Sequence, residues 1–479
     1  MAVRGDSFMA KLLITHPHTY GSERKYIYDV IFGEFLGIRY ETRVGDVPGV
    51  TEISMCGDSS GRSIILPEVL FTTSPDKWLT SQSLPLQPLE KWIMTDSFRN
   101  TPRVLPEIPV IYGERIAGDS YYAESDRRVL LGIDVFGSAF FMLTRYEEVV
   151  KADRDEHDRF AAAASLAWQE GFIKRPIINE YVEILWTCIK RLWPLIERRR
   201  REYRVLLSHD VDHPLAVAGK PLGMVIRACG GDMLMRKDLD MALRRIRGYY
   251  RSLRGDFSND PFNTFDFIMR VSERIGVRSA FYFMTAEARS RFDRAYSIHH
   301  PWFRGLMRKI ASRGHEIGYH GSYYSYLDLE KTRREVAILI KALTEEGISD
   351  SVLGGRQHYL RWQAPTTWRI WESAGLTYDS TLGFADCTGF RCGTCYEYST
   401  YDIAEKRKMK LVERPLVVMD VSLIDDHMKD AARDRAYAEA IGLAKTCRMF
   451  KGDVSVLWHN SSLGSEWQRI LYEAIISNI

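Results

Sequence analysis

The sequence predicts an α/β chain whose second part is a (β/α) barrel, and three observations point there. From Tyr203 onward, short apolar runs alternate with amphipathic stretches at helical spacing, the pattern of βα units around a mostly parallel sheet. Several of those runs end in ionisable groups, and a barrel collects chemistry at the carboxyl ends of its strands. Before Tyr203 the texture differs: short apolar pieces broken by Gly and Pro suggest a smaller α/β region.

In that first region the strand candidates are Lys11–Ile14, Ile64–Ile65 and Val110–Tyr112. Its later part turns helical. Asn179 is the expected cap of a helix carrying Ile184, Leu185, Cys188, Ile189 and Leu192 at helical spacing. Pro194 and the basic run Arg198–Arg201, read as a solvated helix end, close it and mark a boundary. The expected domains are therefore residues 1–195 and 203–479. In the second, strands are expected at RVLLSHDVD, SAFYFM (Ser279–Met284), HEIGYH, VLGGR, LVVMD and DVSVLWH. Helices are expected at Asn263–Arg274, Trp302–Arg313, Asp328–Glu346 and Ser465–Ile476.

Composition narrows the function. Sixty-six Lys+Arg against 63 Asp+Glu leave a formal charge of +3 over 479 residues, too little field to gather nucleic acid or anionic lipid. No run approaches the ~20 apolar residues that a membrane helix needs, and the N-terminus does not read as a signal peptide. Seven scattered cysteines fit reduced thiols better than a disulfide framework. The expectation is a cytoplasmic chain of unknown oligomeric state.

Asp210 and Asp212 end the first strand of the second region, and side chains two apart on a strand share a face. Two such carboxylates repel unless a cation or a shared proton compensates; a metal on one leaves the other as a base. The plainer reading of a lone Asp-x-Asp is a capped turn. His320 stands at the exit of its strand and His315 at the entrance, a strand's length away, so His320 is the better ligand and His315 reads as structural. Arg356 and His358 share a face if their segment stays extended, and His459 follows an apolar run directly. Each has a packing explanation taken singly; four strand ends finishing in ionisable groups do not.

Together these residues resemble the polysaccharide deacetylases of the NodB-homology type, carbohydrate esterase family 4, over residues 203–479. The resemblance implies a distorted (β/α) barrel and removal of acetyl from N-acetylated sugars with a divalent metal, commonly zinc. SHDVD resembles the opening motif, which makes Asp210 the general base and Asp212 a metal ligand. GHEIGYH resembles the second, with His320 as its first metal histidine. GGR, followed by TTWRIWESAGLTYDST, resembles the third, with Arg356 orienting the base. LWHN resembles the closing motif, with His459 as general acid, and Asp420 in LVVMD stands near a fourth-motif acid.

Two departures matter. Tyr324 stands where the family keeps its second metal histidine, and a phenol is a poor zinc ligand near neutral pH. His358 stands where the family keeps a proline, and the expectation is that it supplies the missing ligand. Asp212, His320 and His358 would then give two nitrogens and one oxygen with a position left for water. The alternatives are a related amidase or O-acetyl esterase, or a barrel that has lost its metal and only binds glycan.

Elsewhere, FGSAFFMLTRYEEVV (Phe136–Val150) and DEHDRF (Asp155–Phe160) resemble a domain found ahead of deacetylase domains in some bacterial surface-polysaccharide proteins. Thr144, Arg145, Glu147 and Glu148 read as a helix end with its salt bridges. Cys387, Cys392 and Cys395 lack the second pair a structural zinc needs and lie in a Gly-rich loop expected along the substrate groove. Trp458 and Tyr323 are the aromatic residues expected near the site.

Overall fold

The computed structural model describes residues 11–94, 98, 103–235, 237–285, 290–293, 296–348, 353–424 and 429–479. The chain gathers into two compact units. The first comprises Met1–Asp153, Ala163–Glu202 and Arg391–Lys410; the second comprises Arg154–Ala162, Tyr203–Phe390 and Leu411–Ile479. Two segments thus depart from a division at a single boundary, and buried polar groups explain both. In the first unit Arg391 pairs with Glu148 at 2.6 Å, and the Cys395 amide donates to Asn179 Oδ1 at 3.0 Å. In the second, Arg361 donates to Asp158 at 2.9 Å and to the His157 carbonyl at 2.8 Å.

The first unit carries β1 (Lys11–His16), β2 (Arg39–Val44), β3 (Val50–Met55), β4 (Ser63–Pro67), β5 (Glu90–Ile93), β6 (Glu107–Val110), β7 (Tyr122–Glu124) and β8 (Arg128–Leu131). Six of them form a mixed sheet of order β2-β1-β3-β4-β8-β7, and β5 and β6 pair separately. Beneath it a buried ion pair joins Arg24 to Glu68, whose Oε1 also accepts from Thr51 at 2.6 Å. Asn179 is not a cap. The helix begins at Ile177, which places Asn179 in its first turn with the side-chain oxygen committed to Cys395. The arginine run is not a helix end either, since that helix stops at Leu192. Arg198 instead forks onto Glu183 at 2.9 and 3.0 Å, and the Arg199 amide donates to the Leu36 carbonyl at 2.7 Å.

The remaining strands are β9 (Arg204–Val211), β10 (Ser279–Phe283), β11 (Glu316–Gly321), β12 (Gly354–Gln357), β13 (Tyr378–Asp379), β14 (Tyr398–Asp402), β15 (Arg407–Glu413), β16 (Val418–Met419) and β17 (Asp453–Leu457). Eight pair in parallel in the order β15-β13-β12-β11-β10-β9-β17-β16; β14 pairs with β15. A flat sheet would hold β9 and β12 three spacings apart, about 14 Å. Their side chains nevertheless touch, Arg356 to Asp210 at 2.8 Å, and the Tyr282 hydroxyl on β10 reaches that of Tyr378 on β13 at 3.1 Å. The sheet is therefore strongly curled. The strand order is linear, so the barrel expectation is met by an arc of parallel strands rather than by a closed ring among the described residues.

Amphipathic helices cover the outer face. Leu329–Glu345 is capped by Asp328, whose side chain accepts from the Lys331 amide. Its Glu335 accepts the Tyr319 hydroxyl of β11 at 2.7 Å. Glu466–Asn478 starts with a capping box of Ser465 and Gln468. Two helices not anticipated from the sequence, Leu222–Leu234 and Leu239–Ser252, pack around Val225, Cys229 and Ala242.

Close packing at β12 sets the position of the site. A Cβ at Gly355 would lie 1.7 Å from the Tyr319 carbonyl oxygen, and one at Gly354 would lie 2.1 Å from the Tyr378 ring. The first obstacle is backbone held by the pairing of β11 with β12 and cannot retreat; the second is a ring whose hydroxyl is tied to Tyr282 and Glu316. Gly355→Ala is expected to cost at least about 3 kcal/mol, read as a large drop in thermal midpoint. An unchanged midpoint would mean that β12 has room to move away from β11.

Candidate metal centre and active site

Strand alternation decides which groups of β9 face inward. Ser208, Asp210 and Asp212 share the inner side, while His209 points outward. There His209 donates from Nδ1 to the Trp458 carbonyl at 2.7 Å and meets Ser279 Oγ at 3.2 Å. Burial pushes its pKa down to about 4, so it stays a neutral packing group.

Arg356 projects inward from β12 and is fully buried. Its guanidinium donates to Asp210 Oδ1 at 2.8 Å, Ser208 Oγ at 2.9 Å, the Ser380 carbonyl at 2.8 Å and Ser380 Oγ at 3.0 Å. One oxygen of Asp210 is thereby fixed, and the other faces His320 Nδ1 at 3.9 Å.

Three imidazoles surround Asp212, each held from behind. His320, at the end of β11, donates from Nδ1 to the Arg356 carbonyl at 2.8 Å and presents Nε2 to Asp212 Oδ1 at 2.9 Å. His358 donates from Nδ1 to Asp293 at 2.9 Å and presents Nε2 to Asp212 Oδ2 at 3.6 Å. His459, after β17, donates from Nδ1 to Asp420 at 2.8 Å, with Nε2 3.5 Å from Asp212 Oδ2. The Asp420 carboxylate also accepts the His459 amide at 2.9 Å.

One ligand atom from each of Asp212, His320 and His358 falls within 4.8 Å of the others. Both histidines have their Nδ1 proton engaged by an acceptor, which fixes the tautomer that offers Nε2 outward. This donor set could hold a divalent cation. His358 does not share an extended strand with Arg356 as expected: β12 ends at Gln357, and a one-turn helix, His358–Leu360, follows. Tyr359 and Leu360 both have positive φ, 62° and 55°, a conformation costly for L residues outside glycine. The turn starts at His358, which stands beside Asp212, and leads the chain away through these two residues.

Electrostatics follow the same grouping. Burial disfavours the charged form of Asp212, but the adjoining His358 and His320 outweigh it and hold its carboxyl well below the usual range. Burial also pulls His358 and His459 down, and the carboxylates beside them win, raising His358 to about 9 through Asp212 and His459 to about 10 through Asp420. A cation on His358 must displace a proton, so its affinity falls as pH falls.

The six residues singled out from the sequence, Asp210, Asp212, His320, Arg356, His358 and His459, come together here. Asp210 and Asp212 line a cavity of about 340 Å³ with His358 and His459, and a second of about 340 Å³ shares Asp212 and His213. The expectations for Trp458 and Tyr323 are corrected, and those for Tyr324 and His315 are not. Trp458 is fully buried and packs against Tyr472, so it offers no face to a ligand. The Tyr323 ring is stacked at 4.0 Å on Phe292 and lies under the Arg361 guanidinium, away from the cavity lining. Tyr324 is 53% exposed, with no part in the cluster. His315 accepts the Ser279 amide at the opposite strand end, as a structural histidine should. Cys392 and Cys395 are buried in the first unit, and no cysteine joins a candidate metal group among the described residues.

Sequence reasoning missed Asp293, Arg159, Phe292 and Tyr359. Asp293 and Phe292 sit in a polar connection with no periodicity, and Arg159 precedes the barrel entirely. Only DEHDRF, singled out for its resemblance to a domain ahead of deacetylases, marked Arg159.

Residues 12–194 match a family of unknown function (DUF7033). No curated protein matches the chain. Among solved structures, a protein of Mycobacterium smegmatis assigned as a polysaccharide deacetylase is 18% identical, with a TM-score of 0.37 over 58% of this chain and 84% of that one. An allantoinase, PuuE, shows 14% identity and a TM-score of 0.34 over the same shares, 58% and 84%. Agd3, described as a novel carbohydrate deacetylase, is 8% identical with a TM-score of 0.35, covering 98% of this chain and 84% of that one.

The donor geometry makes His358 and Tyr324 separable. Wild type and Tyr324→Phe are expected to retain about one divalent ion per chain after dialysis, and His358→Ala to retain almost none, by elemental analysis. Metal kept in His358→Ala would assign the third position to another group.

Proposed function

We propose that this chain is a metal-dependent hydrolase that removes the acetyl group from an N-acetylated sugar. The observation that carries the reading is Asp212, faced by three imidazole Nε2 atoms and set beside a carboxylate that a buried arginine orients. The likeness of SHDVD, GHEIGYH, GGR and LWHN to polysaccharide deacetylase motifs supports the acetamido substrate. Asp212, His320 and His358 would hold the ion, and their two nitrogens and one oxygen suit zinc. When bound, such an ion supplies Lewis-acid polarisation of the amide carbonyl and a lowered pKa for water.

The chain's own groups then divide the proton work. Asp210, with one oxygen tied to Arg356, uses the other to take a proton from the water that attacks the carbonyl carbon. Arg356 stops the carboxylate from rotating. His459 is cationic because Asp420 holds its charge, and it gives its Nε2 proton to the departing nitrogen as the carbon–nitrogen bond breaks. Acetate and a free amino sugar result, with both protons accounted for.

Asp210→Asn is expected to lower turnover by about 10²- to 10⁴-fold while metal content stays unchanged. Acetate release from N-acetylated oligosaccharides is the assay, with an O-acetylated substrate in parallel to separate amide from ester hydrolysis. Normal turnover in Asp210→Asn would remove the base assignment. A second measurement probes the acid. Activity requires protonated His459, so it declines as pH rises through that pKa, near 10. Asp420→Asn takes away the carboxylate that raises it, and the alkaline limb of kcat is expected to move down by more than about one pH unit. A limb that stays in place would mean that His459 is not the acid.

A further inference from the structure

Residues 154–162 lie within the stretch that matches the family of unknown function, yet they belong to the second compact unit. They are held there by polar contacts. Arg361 donates to the His157 carbonyl and to Asp158, the Tyr326 hydroxyl donates to Asp158 at 3.0 Å, and His157 Nδ1 meets the Tyr323 hydroxyl at 3.0 Å. This segment places Arg159 in the wall of the same cavity as Asp210, Asp212 and His459.

Arg159 is built into position. Asp155 accepts from its Nε at 2.7 Å and from its backbone amide at 2.9 Å, and Nη1 donates to the Tyr359 carbonyl at 3.2 Å. Its Nη2 has no partner among the described residues. Arg291 lines the same cavity, exposed, with its guanidinium 4.5 Å from the centre of the Phe292 ring and no carboxylate paired with it among the described residues. The two acids of the wall are already matched, Asp210 to Arg356 and Asp212 to the imidazoles or a cation, and Asp155, outside the lining, pairs with Arg159 at its Nε. An open Nη2 donor on one guanidinium, with a second guanidinium on the same wall that has no carboxylate partner among the described residues, is chemistry suited to an oxyanion.

We propose that Arg159 and Arg291 form an anion-recognising subsite, so that the substrate is an N-acetylated sugar that also carries a carboxylate or a phosphate. The inference rests on the deacetylase reading for the acetamido end of the ligand, and it gives the segment Arg154–Ala162 a part in specificity.

The test is titration calorimetry on the full chain loaded with zinc, using N-acetylglucosamine, N-acetylmuramic acid and N-acetylglucosamine 1-phosphate at low and high salt. At least one acidic sugar is expected to bind about tenfold tighter than the neutral one, with the advantage shrinking as salt rises. The arm that shows it separates carboxylate from phosphate. Arg159→Gln and Arg291→Gln are each expected to remove most of the preference; Arg291 is exposed, so its variant keeps the test valid if Arg159→Gln fails to fold. Equal or undetectable binding of all three sugars, or a preference that survives in Arg291→Gln because the anion sits on the metal, overturns the subsite. Charge-selective binding without acetate release would overturn the deacetylase reading and leave the subsite standing.

Discussion

A guanidinium with no access to solvent ties together strands that the sheet alone would keep apart. Arg356 on β12 reaches Asp210 and Ser208 on β9 and the Ser380 backbone after β13. Removing one partner of such a buried pair leaves an uncompensated charge, a loss of about 3–5 kcal/mol. The cluster is therefore conditional on the curl of the sheet, because only a curled sheet brings β9 and β12 within a side chain's reach. The curl is conditional in turn on Gly354 and Gly355, where any side chain would strike a neighbouring strand.

The imidazoles repeat one device with different acceptors. His320 rests on a backbone carbonyl, His358 on Asp293 and His459 on Asp420. A backbone carbonyl behind a ring fixes its tautomer without adding charge. A buried carboxylate stabilises a cationic ring, which is what an acid facing a leaving amine requires. Asp293 behind His358 sits between these cases: it raises the basicity of a ligand, at the expense of proton competition for the same nitrogen. Three chemically identical side chains are thus distinguished by what stands behind them.

His358 stands beside Asp212 although no extended strand carries it there. A histidine one turn past β11 would stand where Tyr324 is, out in solvent. His358 follows β12 directly, the two residues after it stand at positive φ, and the Tyr359 carbonyl is held by Arg159. Backbone strain of this kind persists only where the surroundings over-determine it, and the segment Arg154–Ala162 is among those surroundings.

By itself the sequence determined the alternation of strands and helices after Tyr203, the strand ends bearing Asp210, Asp212, His320 and His459, and the Gly-Gly-Arg that sets Arg356 inward. These are local matters: period-two alternation, capping residues such as Asp328, and apolar runs of strand length carry their own record in the chain. Only the tertiary structure decided that Trp458 and Tyr323 are packed away, that Asn179 receives Cys395 rather than capping a helix, and that Arg391–Lys410 joins the first unit. It also decided that Asp293 stands behind His358 and that Arg159 enters the cavity. Those outcomes depend on which distant polar group is left to satisfy once the sheet has curled, and hydrogen bonds between residues far apart in sequence leave no periodicity to read.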